Sequence, residues 1–352
     1  MNIVSPALSA PIIPSSVDLA PRHEASAASI LAAAALLLPH LERGTRIDAA
    51  ILRGAMQAAF DGSDASGAWD WKAAYEACEV ATVLFLRRYG PALFARATAP
   101  AARLRLLERV AALLPTQTRR TEESRTLQQF STPIGLGFAA ATAAAMTPAD
   151  RVLEPSAGTG LLAILAEIAG ADIALNELAD TRGDLLAALF PAAPVTRFDA
   201  AQIDDHLDPS FRPNVVLMNP PFSALANVEG RVADAAFRHV ASALARLAPG
   251  GRLVAITGTG FAPDNPAWAG AFAELQARGR IVFSAAIDGT VYARHGTSVA
   301  TRLTVIDKGP ADGTVIPAAP GVAPDVATLL GWIETMVPPR LPVGGVAPRP
   351  VR

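Results

Sequence analysis

The stretch 151–169 limits what this chain can fold into more than any other. A short apolar pattern, Arg151-Val152-Leu153, passes through Glu154-Pro155-Ser156-Ala157 into Gly158-Thr159-Gly160. An Ala/Leu-rich segment, 161–169, follows. Strand, glycine turn and helix in that order open a parallel α/β unit. Glycine lets the backbone turn left-handed and approach a ligand closely, and the helix start offers unpaired N–H groups. With Ala163 the spacing also satisfies G-x-G-x-x-A, so a dinucleotide-binding fold remains open at this point.

Three further strand patterns end on polar groups. Residues 172–175 lead to Asn176-Glu177, an acid placed where a ribose diol needs a two-oxygen acceptor. Residues 195–198 lead to Asp199, suited to accept from an adenine amino group. The apolar run 215–218 leads to Asn219-Pro220-Pro221-Phe222. Open α/β sheets bind ligands at the carboxyl ends of their strands, and all four features fall there.

The last corner suits a planar –NH2 group. Such a nitrogen is a poor nucleophile because its lone pair is delocalised into the ring. The Asn219 side-chain oxygen and the Pro220 carbonyl supply two acceptors that favour a pyramidal, attacking nitrogen. Proline fixes φ and leaves a carbonyl that no ladder needs, and Phe222 offers a stacking face worth ~1–3 kcal/mol per base.

Phe130-Ser131-Thr132-Pro133, Glu154-Pro155-Ser156-Ala157-Gly158-Thr159-Gly160, Glu177, Asp199 and Asn219-Pro220-Pro221-Phe222 together resemble the class I S-adenosylmethionine-dependent amino-methyltransferases. The Thr-Pro element ahead of the glycine loop is similar to that of the gamma-ordered N6-adenine DNA methyltransferases. A looser resemblance is to the methyltransferase region of bacterial strawberry-notch-like helicase fusions. The resemblance implies a doubly wound, mostly parallel seven-stranded sheet and S-adenosylmethionine as cofactor. It places the cofactor on Phe130, Thr132, Pro133, Glu154, Pro155, Gly158, Gly160, Glu177 and Asp199, and methyl transfer at Asn219, Pro220, Pro221 and Phe222. In the loop 290–298, Tyr292 answers to a residue that packs against an extruded base, with Arg294 and His295 as phosphate or base contacts; a Tyr tucked onto the sheet is the alternative. The reaction implied is transfer to adenine N6 in DNA. RNA bases and protein glutamine stay open as substrates, because related enzymes use similar corners, and so does a non-catalytic cofactor-binding module.

Composition narrows the setting. The single cysteine, Cys78, excludes a disulfide framework, and five scattered histidines show no zinc spacing, so no metal is expected. No Pro-Cys dipeptide is present, which argues against C5-cytosine methylation. The longest apolar run, 30–38, is too short to span a bilayer and follows no basic leader, so a cytoplasmic protein with no membrane partner is expected. A net charge of −2 is unusual for a free-standing DNA binder. Arg103, Arg105, Arg109, Arg119, Arg120 and Arg125 alternate with Glu108, Glu122 and Glu123, the pattern of a solvated helix face. The resemblance implies DNA as partner, and with so little positive charge it is expected to be presented by a helicase domain or subunit, as single strand.

The chain divides into a Pro/Ser-rich leader (1–22), a helical region (23–114), the catalytic region (115–308) and a Pro/Gly/Ala-rich tail or linker (309–352) holding one helix, 325–336. Helices are expected at 25–41, 48–60, 71–88 and 101–114, and again at 231–247. Further strands are expected at 251–257, 281–286 and 300–306.

Overall fold

The computed structural model describes residues 26–118, 131–221, 234–309, 316–317 and 321–341. Phe130 and Phe222 lie outside these residues. One eight-stranded sheet organises the fold, in the order β3-β2-β1-β4-β5-β7-β6-β8. The strands are β1 (Arg151–Glu154), β2 (Asp172–Asn176), β3 (Val195–Thr196), β4 (Val215–Met218), β5 (Arg252–Gly258), β6 (Gly279–Ile287), β7 (Thr301–Lys308) and β8 (Val322–Ala323). The first five run parallel; β7 is antiparallel to both β5 and β6.

Apolar runs form the middle strands because both faces are covered. Along β4, Val215 and Leu217 face one helical layer while Val216 and Met218 face the other. The first layer holds α1 (Ala27–Glu42), α2 (Ala49–Phe60), α3 (Trp71–Arg96), α4 (Pro100–Leu113), α5 (Ile134–Ala144), α6 (Ala163–Ile168), α7 (Asp180–Leu189) and α11 (Val326–Met336). The second holds α8 (Ile203–His206), α9 (Asp234–Arg246) and α10 (Ala269–Gln276).

The amino-terminal helices have no core of their own. Buried residues of α1 to α4 form one continuous cluster with α5, α6 and the sheet. Helix α3 is the centre of that layer, and Ala73 to Val83 are buried on every side. It starts at the Asp70 cap, whose carboxylate accepts from the Ala73 N–H at 2.8 Å. The sequence pattern ended this helix near Arg88, ahead of Gly90-Pro91, but it runs on to Arg96. Tertiary packing explains the difference. A Cβ on Gly90 would stand 2.6 Å from Ile168 of α6, so the glycine allows close helix contact. The Arg87 guanidinium grips Glu167 of α6 through two bonds, at 2.6 and 2.7 Å.

The sheet gains an eighth, two-residue strand beyond the seven expected. It comes from the segment after Lys308, read as linker apart from one helix. Residues 321–341 instead belong to the fold: β8 pairs with β6, and α11 packs on α5. Arg340 donates to both Asp150 oxygens, at 2.7 and 2.8 Å. The Pro338 carbonyl accepts from Arg252, which is itself paired to Asp307 on β7 at 2.7 and 2.9 Å. Composition hid this docking because its anchors are one arginine and one carbonyl.

Candidate active site at the carboxyl edge of the sheet

The glycine loop is held from below by side chains at the strand ends. Gly158 takes φ +56° and Gly160 φ +88°, the left-handed region that favours glycine. The Gly158 N–H donates to a Glu177 oxygen at 2.8 Å, and the other Glu177 oxygen accepts from Ala179 N–H at 3.0 Å. Asn176 ties three segments together. Its amide nitrogen donates to the Pro155 and Phe198 carbonyls, and its oxygen accepts from Phe198 N–H and Thr196. Asp199 is exposed at the end of this segment and caps a short turn through Ala201 N–H.

Glu154 is buried at the end of β1 and accepts from the Ala163 N–H, which closes the loop. Burial, reinforced by the Glu177 charge, pushes its carboxyl well above the usual range. Its second oxygen is buried and has no hydrogen-bond partner among the described residues.

At β4, the Asn219 Nδ2 donates to the Thr132 hydroxyl at 2.8 Å. The bond joins the Thr-Pro element to the Asn-Pro-Pro corner and turns Oδ1 the other way. Thr132 is buried, and Pro133 caps α5. Tyr292, in the 3-10 turn Gly289–His295, is wholly buried beside the Asn219 amide nitrogen; burial pushes its phenol up, and Asn219 acts against that. It sits behind the corner and offers no face to solvent. Arg294 is exposed, but its guanidinium is held by the Leu114 carbonyl at 2.7 Å. His295 lies 6.3 Å from the Tyr292 ring, centre to centre.

The sequence reading found nothing chemical in the helical region, and here the structure adds residues. Glu79 of α3 accepts from the Thr159 hydroxyl of the glycine loop at 2.7 Å and from Gln117 at 3.4 Å. Glu76 binds Arg182 of α7 at 2.7 Å, and that guanidinium also feels the charges of Glu177 and Glu79. A cleft partly open to solvent lies between α3, the end of α4, the Thr-Pro element and the turn carrying Tyr292. Glu79, Gln117, Thr132, Arg294 and His295 line it. Two acids three residues apart, Glu76 and Glu79, within the otherwise uncharged stretch 73–86 were the available signal. Leu178, directly after Glu177, is a second addition: it is 63% exposed at the carboxyl edge. Of the arginines in that pattern, Arg105 and Arg109 are exposed opposite buried Leu104, Leu107 and Val110, Arg103 is half-buried with its guanidinium on the Ala97 and Phe94 carbonyls, and Arg119, Arg120 and Arg125 lie outside the described residues. No metal-binding cluster occurs among the described residues, and no described helix is long and apolar enough to cross a membrane.

No family model and no curated protein matches this sequence. Solved structures do. A candidate class I S-adenosylmethionine-dependent methyltransferase from Listeria monocytogenes is 14% identical with a TM-score of 0.50, over 88% of this chain and 97% of that one. TrmN from Thermus thermophilus aligns at 20% identity and TM-score 0.39, over 53% of this chain and 52% of that one. A modification subunit of a candidate type I restriction enzyme from Vibrio vulnificus aligns at 19% identity and TM-score 0.42, over 52% and 45%. The chain thus spans about half the length of these last two proteins. The chain has the class I S-adenosylmethionine-dependent methyltransferase fold, preceded by a helical region packed onto it.

Proposed function

We propose that this chain is an S-adenosylmethionine-dependent N-methyltransferase acting on an exocyclic amino group, with adenine N6 in DNA as its substrate. The Asn219–Thr132 hydrogen bond carries the reading. It places the Thr-Pro element against the Asn-Pro-Pro corner beside the glycine loop.

Charge supports the cofactor. Glu76, Glu79 and Glu177 gather around the Arg182 guanidinium, and Glu154 stands near Glu177 with one oxygen lacking a partner among the described residues. That excess of carboxyl groups suits a cation and disfavours the pyrophosphate of a dinucleotide. Gly158 has open space where a Cβ would stand, which suits close passage of a ligand. Glu177 would hold the ribose diol on its remaining lone pairs, Asp199 the adenine amino group and Leu178 the adenine face. The bound cofactor supplies an electrophilic methyl group on a sulfonium. Asn219 Oδ1 and the Pro220 carbonyl accept the two amino hydrogens and hold the nitrogen in line for attack. Thr132 and Tyr292 fix the rotamer of Asn219. Phe222 stacks on the base, offsetting the few kcal/mol of flipping it from a duplex. Net charge −2 favours DNA delivered by a helicase domain or subunit, as single strand.

Radiolabelled methyl transfer to duplex DNA, single-stranded DNA, total RNA and a glutamine-bearing protein tests the substrate, followed by nucleoside mass spectrometry. N6-methyladenine in DNA, highest on single strands, is the expected product. Label only in RNA or protein overturns the substrate and leaves the cofactor reading intact.

A further inference from the structure

We infer that Glu79, on the central helix of the amino-terminal region, is a positioning residue for cofactor binding that acts through the Thr159 hydroxyl of the glycine loop. The inference rests on the cofactor reading above and assigns the helical region a part in it. Glu79 is buried, and a buried carboxyl is costly unless hydrogen bonds hold it. Burial pushes its protonation upward, while Thr159, Ser131 and Arg182 work against that. All three belong to parts expected to touch the cofactor or stand beside them: the glycine loop, the Thr-Pro element and the helix after Glu177.

Geometry makes the coupling specific. Thr159 stands between the two left-handed glycines, so its side chain fixes the orientation of a loop that glycine otherwise leaves free. Gln117 donates to the second Glu79 oxygen while its own N–H donates to the Arg294 carbonyl at 2.8 Å. One carboxylate therefore links α3, the glycine loop and the turn carrying Tyr292, whose phenol faces the Asn219 amide. Removing it would loosen the loop from the helix side without touching Glu177 or Asn219.

The test is calorimetric titration of the full chain with S-adenosylmethionine, with thermal melting in parallel, for wild type, Glu79→Ala, Glu79→Gln, Thr159→Val and the Glu79→Ala/Thr159→Val pair. Glu79→Ala and Thr159→Val should each weaken binding by roughly ten- to a hundred-fold, as for loss of a hydrogen bond to a charged group. Glu79→Gln keeps an acceptor for Thr159 and should stay within about three-fold of wild type on that ground. The double variant should bind no worse than the weaker single one, since both changes break one interaction. If Glu79→Ala does not fold, the Gln and Val variants carry the comparison alone. Wild-type binding with additive losses, or with Thr159→Val unchanged, or with Glu79→Gln as weak as Thr159→Val, overturns the inference and spares the cofactor reading. A wild-type chain that does not bind overturns both.

Discussion

The Asn219 amide nitrogen donates to the Thr132 hydroxyl at 2.8 Å and also faces the buried phenol of Tyr292, so both residues act on the nitrogen side of the amide. An asparagine held through its nitrogen keeps its oxygen pointed away from both residues, which is what an acceptor aimed at a reacting nitrogen requires. Tyr292→Phe keeps the packing and removes the hydroxyl. A neutral hydrogen bond contributes about 0.5–1.5 kcal/mol net, so methyl transfer should fall roughly three- to ten-fold. Cofactor affinity measured by calorimetry should not change. A variant that transfers normally would show that Thr132 alone fixes the amide.

Asn219→Ala removes the acceptor itself. Transfer should drop by ~10²–10³, the scale of losing one preorganised contact to a transition state, with cofactor affinity within a few-fold. Single-turnover rates with saturating cofactor measure this directly, and near-normal turnover would mean that another group holds the amine.

What the sequence made legible was local. Strand β4 ends at Met218 as its apolar run predicts, and the loop from Glu154 to Gly160 announces its own turn. The parallel pairing of β1 to β5 follows from their alternation with helices. Three things were not legible, each for a physical reason. Helix α3 passes through Gly90-Pro91 because packing on Ile168 and Glu167 outweighs the local break. Glu79 meets Thr159 only after that helix is laid across the loop, and a helix buried on all sides carries no amphipathic stripe to show which way it faces. Tyr292 could have lain at the mouth of the site or behind it; only the path of the turn before β7 decides.

The buried pair Arg252–Asp307 joins β5 to β7 and also holds the Ala143 and Pro338 carbonyls. Arg252→Met leaves Asp307 buried without its cation and should cost about 3–5 kcal/mol in chemical denaturation. Adding Asp307→Leu should recover much of that, because no buried charge then remains. A single variant as stable as wild type would mean that water reaches the site.

Stability should depend on pH through His295. Burial, with the Arg294 charge beside it, holds this imidazole down to about 4, from an ordinary 6.5. Between those values the unfolded chain binds a proton that the folded chain refuses. Unfolding free energy should therefore fall as pH drops from 6.5 toward 4, and this contribution should level off below. His295→Gln should flatten that part of the profile and leave the region above pH 7 unaltered. Denaturation at pH 7.5, 5.5 and 4.5 supplies the comparison, and equal slopes for both proteins would refute it.

The two glycines of the loop should fail in opposite ways when replaced. At Gly160 an added Cβ would stand 2.5 Å from the Phe190 ring and 3.3 Å from Leu186, in a backbone with φ +88°. Both are packed in the first helical layer and cannot withdraw without opening a cavity. Gly160→Ala should thus lower the melting temperature markedly, since overpacking costs ~1–3 kcal/mol and left-handed backbone adds about 1–2 more. Gly158 has φ +56° but nothing within 4 Å of a Cβ, so Gly158→Ala carries only the backbone strain and should melt closer to wild type. The space it fills is where the cofactor is proposed to approach the loop. Its affinity for S-adenosylmethionine should therefore fall by more than ten-fold while the fold survives. Melting and titration of the two variants side by side separate the roles. A Gly158→Ala protein that binds as well as wild type would place the ligand elsewhere along the sheet edge.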